Sequence, residues 1–281
     1  MGRNNQNKLS DRSEFQTKIA IITGASSGLG AEFARQLAAR GFNLLLTARR
    51  QEYLQQVRQS IISDYKVQVD VYPADLSKSS DMSNLIDAIN QVTNPDILVN
   101  CAGFGTVGRF YRIDPEKELA MMQVHIVAPV MLCRCVLPGM ISRNHGAIIN
   151  VASLAGLIPI RNVLYHSSKA FLVSFSEVLH TELLGSRVTV QALCPGFILS
   201  RFHDTPEYTQ FSRYSVPRFL WMTPQQAVTA SLKSLYNGKV ICVPGLLYGF
   251  AGLLARNSLT AGIIKFAAQF VLRKRKTFIN T

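Results

Sequence analysis

The chain has 281 residues, a length for one sizeable domain, and 48% hydrophobic against 17% charged residues exclude a disordered or polyelectrolyte chain. Five cysteines are too sparse for a disulfide scaffold. The net charge of +13 is uneven: the first 207 residues hold 20 basic and 17 acidic groups, the last 74 hold 10 basic groups and no carboxylate. Such asymmetry points to an anionic partner, whether a membrane surface, a nucleic acid or an acidic substrate.

Residues 1–17 are polar and basic, without the apolar core that a secretory signal requires, and are expected to form a flexible N-terminus. Gln6 stands where a myristoylation motif needs Ser or Thr, which argues against that anchor. Beyond them, apolar runs of strand length alternate with segments of helical period. Strands are predicted near 18–23, 43–48, 67–72, 96–101, 146–152, 188–194 and 240–243. Helices are predicted near 28–40, 50–64, 78–93, 115–142, 163–185 and 224–237. The alternation implies right-handed crossovers, and the strands are apolar throughout, as strands covered on both faces are. The expected fold is α/β, a doubly wound (Rossmann) sheet of about seven parallel strands with helices on both faces, one domain over 18–245.

The first strand runs into Thr23-Gly-Ala-Ser-Ser-Gly-Leu-Gly30. Gly24, Gly28 and Gly30 would let the backbone turn tightly and approach a pyrophosphate, with Ser26, Ser27 and Leu29 beside it at a helix N-terminus. The alternative is an ordinary glycine-rich turn, which placement directly after the first strand disfavours. The second strand ends in Thr47-Ala-Arg-Arg50, where an NAD site usually carries a carboxylate for the ribose 2′-hydroxyl. Arg49 and Arg50 can instead pair with a 2′-phosphate, so the expected cofactor is NADP(H).

Ser153 follows the fifth strand, and Tyr165 and Lys169 follow it in Tyr165-His-Ser-Ser-Lys169. Residues four apart share a helix face, and an ammonium beside a phenol is expected to lower its pKa from about 10. Such a tyrosine can give a proton to a carbonyl oxygen as hydride arrives, while a serine hydroxyl holds the same oxygen. His166 points off that face and is read as structural. All five cysteines are read as buried free thiols, consistent with a reducing cytosol, and no metal site is expected.

Together these elements resemble the short-chain dehydrogenase/reductase family from about Lys18 to Val243, through the Thr23–Gly30 turn, Asp75-Leu76, Asn100-Cys-Ala-Gly103, Ser153, Tyr165, Lys169 and Pro195-Gly196. The resemblance implies that Asp75, with Leu76, contacts the adenine and that Asn100, Ala102 and Gly103 line the cofactor groove. It also implies that Tyr165 and Lys169 reach the nicotinamide ribose and that Pro195, Gly196 and Ile198 border the nicotinamide. The family usually has Asn where this chain has His125, which therefore takes a provisional place in the proton relay. The family's apolar helical contacts imply a homo-oligomer, a dimer or tetramer.

Residues 196–223 are expected to form a substrate lid. Seven of the chain's 25 aromatics lie between Phe197 and Trp221, which suits a bulky apolar carbonyl substrate, acyl or steroid-like, or else packing within the lid. Residues 246–281 form a basic extension. Leu259, Ile263, Phe266 and Phe270 make a helical apolar stripe beside Arg273-Lys-Arg-Lys276. That pattern suits an anionic membrane surface or packing on the protein, and it lacks a nucleic-acid reading motif. The sequence reads as a cytoplasmic, peripherally membrane-associated reductase of lipid metabolism with Tyr165 as general acid. The rival is an impaired NADP(H)-binding sensor or scaffold at a membrane, for which the His125 departure speaks.

Overall fold

The computed structural model describes residues 18–92, 94–158, 162–204, 208, 212, 214 and 216–256. Residues 1–17, the stripe from Leu259 to Phe270 and the Arg273–Lys276 cluster lie outside the described residues. The strands are β1 (Ile19–Thr23), β2 (Asn43–Ala48), β3 (Val69–Pro73), β4 (Ile97–Asn100), β5 (Gly146–Val151) and β6 (Val188–Leu193). A lid pair follows, β7 (Phe197–Ile198) and β8 (Trp221–Met222), and then β9 (Ile241–Cys242). Seven of them form one parallel sheet in the order β3-β2-β1-β4-β5-β6-β9. Strand order reverses between β1 and β4, so the carboxyl ends of those strands open a crevice where a doubly wound sheet binds its ligand.

The helices are α1 (Gly28–Ala38), α2 (Gln51–Asp64), α3 (Ser79–Asn90), α4 (Pro115–Met122), α5 (Ala128–Ser142), α6 (Val163–Glu182), α7 (Pro224–Tyr236) and α8 (Leu246–Arg256). Alternate residues of each strand feed two cores. Ala20, Ile22, Leu44 and Leu46 pack with Phe33, Leu37 and Leu54 of α1 and α2 and with Val228 and Leu232 of α7. Ile21, Leu45, Leu98 and Ile148 pack with Leu85 of α3, Leu132 and Met140 of α5 and Leu179 of α6. Truncating one such buried Leu or Ile to Ala costs about 2–5 kcal/mol, so the sheet is a rigid platform for the loops at its carboxyl edge.

Two elements were not anticipated. The expected continuous helix over 115–142 is broken by a π turn at Gln123–Val127, and π turns of this kind recur at functional sites. The run of 28 residues is long enough, and over an 18-residue window apolar enough, to cross a membrane by length and composition. Its Met121, Val124, Leu132, Cys133, Val136 and Met140 are buried against the domain, which accounts for part of the apolar composition, while Leu119, Met131 and Ile141 are exposed. The second element is the pair β7–β8, with Phe197 opposite Trp221 and Ile198 opposite Met222, which clasps the two ends of the lid together.

Candidate active site

At the end of β1, Thr23 Oγ1 accepts from the N–H groups of Cys101 (2.9 Å) and Ala102 (3.0 Å), tying the glycine turn to the loop after β4. Gly24 takes φ +67°, and a side chain there would come within 2.8 Å of the Ala102 backbone, so only glycine fits. A side chain at Gly30 would collide with the Gly24 carbonyl. Gly30 thus closes the turn and does not face the cleft, contrary to expectation, whereas Gly24, Ser26, Ser27, Gly28 and Leu29 do. The first turn of α1 carries no acidic side chain, and its N-cap, Ser27, makes no side-chain capping bond. The amide donors there are left for an anion.

Arg49 and Arg50 are exposed at the rim of the same cleft, and Arg50 Nη2 reaches the hydroxyls of Ser26 and Ser27, both at 3.3 Å. Asp75 and Leu76 line it further along, where Asp75 Oδ1 accepts from the Ser77 amide (3.1 Å) and hydroxyl (2.7 Å). Ala102, Gly103, Pro195, Gly196 and Ile198 line its central part. Asn100 does not. Its side chain is buried below the floor and donates to Asn150 Oδ1 at 2.8 Å, Asn150 donates to Ser176 Oγ at 2.9 Å, and Ser176 donates to the Leu172 carbonyl at 2.7 Å. This buried chain of polar groups ties β4 and β5 to α6, the helix that carries Tyr165 and Lys169.

The start of α6 is capped by Asn162, whose Oδ1 accepts from the Tyr165 amide at 3.1 Å and whose Nδ2 donates to the Thr106 carbonyl. Ser153 caps the turn Leu154–Gly156, its Oγ accepting from the Ala155 amide at 3.1 Å. The side chains of Tyr165 and Ser153 both line the cleft, near enough for the Ser153 hydroxyl to influence the phenol. Lys169 is buried and donates from Nζ to the Val151 carbonyl at 2.9 Å, with Nζ 5.8 Å from the Tyr165 ring centroid. Burial lowers the Lys169 pKa to about 8, against the smaller opposing effect of the Cys101 and Cys194 thiols. The Tyr165 phenol is shifted upward, not downward as expected: burial dominates, and the neighbouring Ser153 hydroxyl offsets it only in part. The Lys169 ammonium is engaged by the Val151 carbonyl, and desolvation of the phenol dominates.

His125 is fully buried in the π turn and outside the cleft lining. Its Nε2 accepts from the Phe104 amide at 3.1 Å and its Nδ1 meets Ser168 Oγ at 3.0 Å. Burial, reinforced by the nearby Lys169 charge, holds its pKa well below the ordinary value. A neutral ring with both nitrogens engaged has no free site for a relay water, so the provisional relay role does not fit. His166 Nδ1 bonds the Ala155 carbonyl, a packing role as expected. Cys133, Cys194 and Cys242 are buried, but Cys101 and Cys135 are only partly so; all five are free. Burial raises the Cys101 and Cys133 thiols to about 12 and keeps them protonated.

The lid folds over the far wall. Phe202 lies 6.0 Å from Tyr165 between ring centroids and 5.6 Å from Tyr208, and Phe197 packs on Trp221 at 5.2 Å. The Tyr208 hydroxyl seats against Gly105, where any side chain would collide with it. Tyr214 and Phe219 point to solvent, and Phe211 lies outside the described residues, so fewer of the seven aromatics face the cleft than composition suggested. Tyr248 of α8 completes the enclosure: its hydroxyl accepts from the Phe197 amide at 3.4 Å and donates to the Leu220 carbonyl at 2.5 Å. The whole cleft, from the glycine turn to the lid, has a volume of about 690 Å³. Sequence reasoning missed Asn162, Arg201 and Tyr248 of this lining. Asn162 was readable as a cap ahead of an apolar run. The described residues contain no group of three His, Cys, Asp or Glu able to hold a metal ion.

Residues 18–208 match the family model for short chain dehydrogenase. The very-long-chain 3-oxoacyl-CoA reductase of Anas platyrhynchos is 31% identical over 272 residues, covering 92% of this chain and 83% of that protein. A short-chain dehydrogenase from Sphingobium yanoikuyae, solved in complex with NADPH, superposes with a TM-score of 0.76 at 24% identity, over 94% of this chain and 98% of that one. The closed form of serine dehydrogenase complexed with NADP+ superposes with a TM-score of 0.71 at 26% identity, over 80% of this chain and 93% of that one.

Proposed function

The chain belongs to the short-chain dehydrogenase family, and from that premise we propose that it is an NADPH-dependent oxidoreductase that reduces a ketone on an apolar, lipid-like substrate to an alcohol. The convergence of the Ser153 and Tyr165 side chains on a cleft that ends among Arg49 and Arg50 carries this assignment. The donor set fits a phosphorylated dinucleotide: an uncapped helix N-terminus, two serine hydroxyls and two arginines, with Arg49 and Arg50 instead of a carboxylate directly at the end of β2. Gly24, Ser26–Gly28, Arg49, Arg50, Asp75, Leu76, Ala102, Gly103 and the Pro195–Ile198 stretch would hold it.

When bound, the nicotinamide supplies the hydride. Tyr165, whose raised pKa keeps it protonated at neutral pH, donates its hydroxyl proton to the carbonyl oxygen. Ser153 donates a hydrogen bond to the same oxygen and orients the ketone. Lys169, largely protonated below its pKa of about 8, offsets the charge left on the phenolate. The aromatic wall of Phe202, Tyr208 and Phe197 suits an acyl or steroid-like chain, and the reductase named for a 3-oxoacyl thioester supports the acyl choice. Purified protein should oxidise NADPH with 3-oxoacyl thioesters or ketones of graded chain length and turn over NADH poorly. A preference for NADH, or for short polar ketones, would overturn the assignment.

The neutral, doubly bonded His125 favours one rival, a nucleotide-binding scaffold with impaired turnover. Nucleotide binding without reduction across a broad carbonyl panel would establish the rival instead. The C-terminal extension supports a peripheral place at an anionic membrane. Leu246, Leu247, Phe250 and Leu253 of α8 are exposed apolar side chains, and the last 74 residues carry a charge of +10. Sedimentation with anionic but not neutral vesicles is expected, and equal partition to neither would dismiss it. Exposed Leu119, Met131, Ile141 and Val178 on α4, α5 and α6 support a homo-oligomer, which light scattering would reduce to a monomer if wrong.

A further inference from the structure

Arg201 stands on the lid just beyond β7, yet its guanidinium carbon lies 5.0 Å from the ring centroid of Tyr53, in the first turn of α2. The guanidinium carbon of Arg50 lies 4.5 Å from the same centroid while that side chain reaches the Ser26 and Ser27 hydroxyls. One aromatic ring therefore gathers two cations, one from the turn after β2 and one from the lid. Among the described residues no carboxylate pairs with either arginine. Two like charges repel, and attraction to one half-buried ring leaves both guanidinium charges unneutralised, so the arrangement calls for an anion between them.

The lid lies close enough for such an anion to touch both sides: a side chain at Gly28 would stand 3.2 Å from Ser200 Cβ. Ser26, Ser27 and Arg201 border both the main cleft and a neighbouring recess of about 290 Å³ between α1 and α2, room for a phosphate and its water. We propose that Arg201 is a third ligand of the nucleotide 2′-phosphate, so that the lid itself takes part in choosing NADP(H) over NAD(H). The assignment rests on the NADP(H) reading above. A phosphate monoester offers three acceptor oxygens, enough for a guanidinium from each side, whereas a ribose hydroxyl offers no charge to hold the lid arginine.

The test needs no turnover. Isothermal titration compares 2′,5′-ADP with 5′-AMP on wild-type protein and on Arg201→Ala, Arg201→Lys and Arg50→Ala. Arg201→Ala is expected to weaken 2′,5′-ADP about tenfold or more and 5′-AMP less than twofold, in line with loss of one charge-assisted bond. Arg201→Lys should keep part of the discrimination, because a point charge replaces the planar fork. Arg201 is exposed, so its removal should leave the fold intact, and retained 5′-AMP binding reports that directly. Equal loss for both ligands, or loss for neither, overturns the assignment while the NADP(H) reading survives. A wild-type protein that does not prefer 2′,5′-ADP overturns both.

Discussion

His125 and Ser168 are joined by a 3.0 Å hydrogen bond from the π turn to α6, and its direction is fixed by what lies beyond it. The Ser168 hydroxyl donates to the Tyr165 carbonyl at 3.0 Å, so its oxygen must accept from His125 Nδ1–H. The Phe104 amide in turn donates to Nε2. The ring is thus the neutral Nδ1–H tautomer, and it couples the loop after β4 to the helix carrying Tyr165, with the two rings edge-on at 5.8 Å between centroids. His125 is a positioning residue rather than a proton carrier.

Replacing His125 by Ala should therefore destabilise the fold by about 2–4 kcal/mol, since it leaves a buried amide unpartnered and opens a cavity. The sign of the pH dependence follows from its depressed pKa. Unfolded chains protonate this histidine below about 6.5 while the folded protein does not, so stability is complete above that pH and falls as pH drops below it. Urea denaturation from pH 7 to pH 5 should show a steeper loss for wild type than for His125→Ala. Parallel slopes would refute the neutral buried ring.

Tyr165→Phe should lower turnover by about 10²–10⁴-fold, the range of general acid catalysis, with nucleotide affinity within a few-fold of wild type. Ser153→Ala should lower it less, because the Tyr165 proton is still delivered. Stopped-flow NADPH oxidation beside nucleotide titration separates the two effects. Equal turnover by the Phe variant would remove Tyr165 from the chemistry.

The pH profile should be set by Lys169. With a pKa of about 8, its ammonium is present at pH 7 and lost as pH rises through 8, and reduction should decline over that interval. Unfolding does not explain such a decline. The unfolded lysine keeps its proton to about 10.4, so between 8 and that value the burial penalty of the charge is progressively relieved and this group's contribution to stability rises. Initial rates against pH at saturating NADPH, with a parallel melting series, check both halves. A flat rate from pH 7 to pH 9 would contradict the first.

The strand positions, the parallel sheet and both ends of the cleft were legible because local signals record them: apolar runs of strand length alternating with helical segments, a glycine turn after the first strand, and a Tyr–Lys spacing of one helical turn. Other assignments failed where local identity does not fix depth. Asn100 sits one residue before the cleft lining but turns under the floor to Asn150, and Gly30 packs on Gly24 instead of facing the nucleotide groove. The Tyr165 shift was misjudged because spacing reports that Lys169 is near, not that its ammonium points to the Val151 carbonyl. Arg201 and Tyr248 carry no local signal, since Tyr53 and Leu220 meet them only through the tertiary fold.

Tyr248 offers the last test, because one hydroxyl holds both ends of the lid. It accepts from the Phe197 amide on β7 and donates to the Leu220 carbonyl next to β8, and its ring covers Gly196, where a side chain would collide with it. Tyr248→Phe keeps the ring and removes only these bonds, at a cost of about 1–2 kcal/mol to the docking of α8. The lid should then close less often, raising KM for the ketone severalfold while kcat at saturation changes little, because Ser153, Tyr165 and Lys169 stand on elements that α8 does not carry. A fall in kcat at unchanged KM would mean that Tyr248 acts on the reacting groups rather than on the lid.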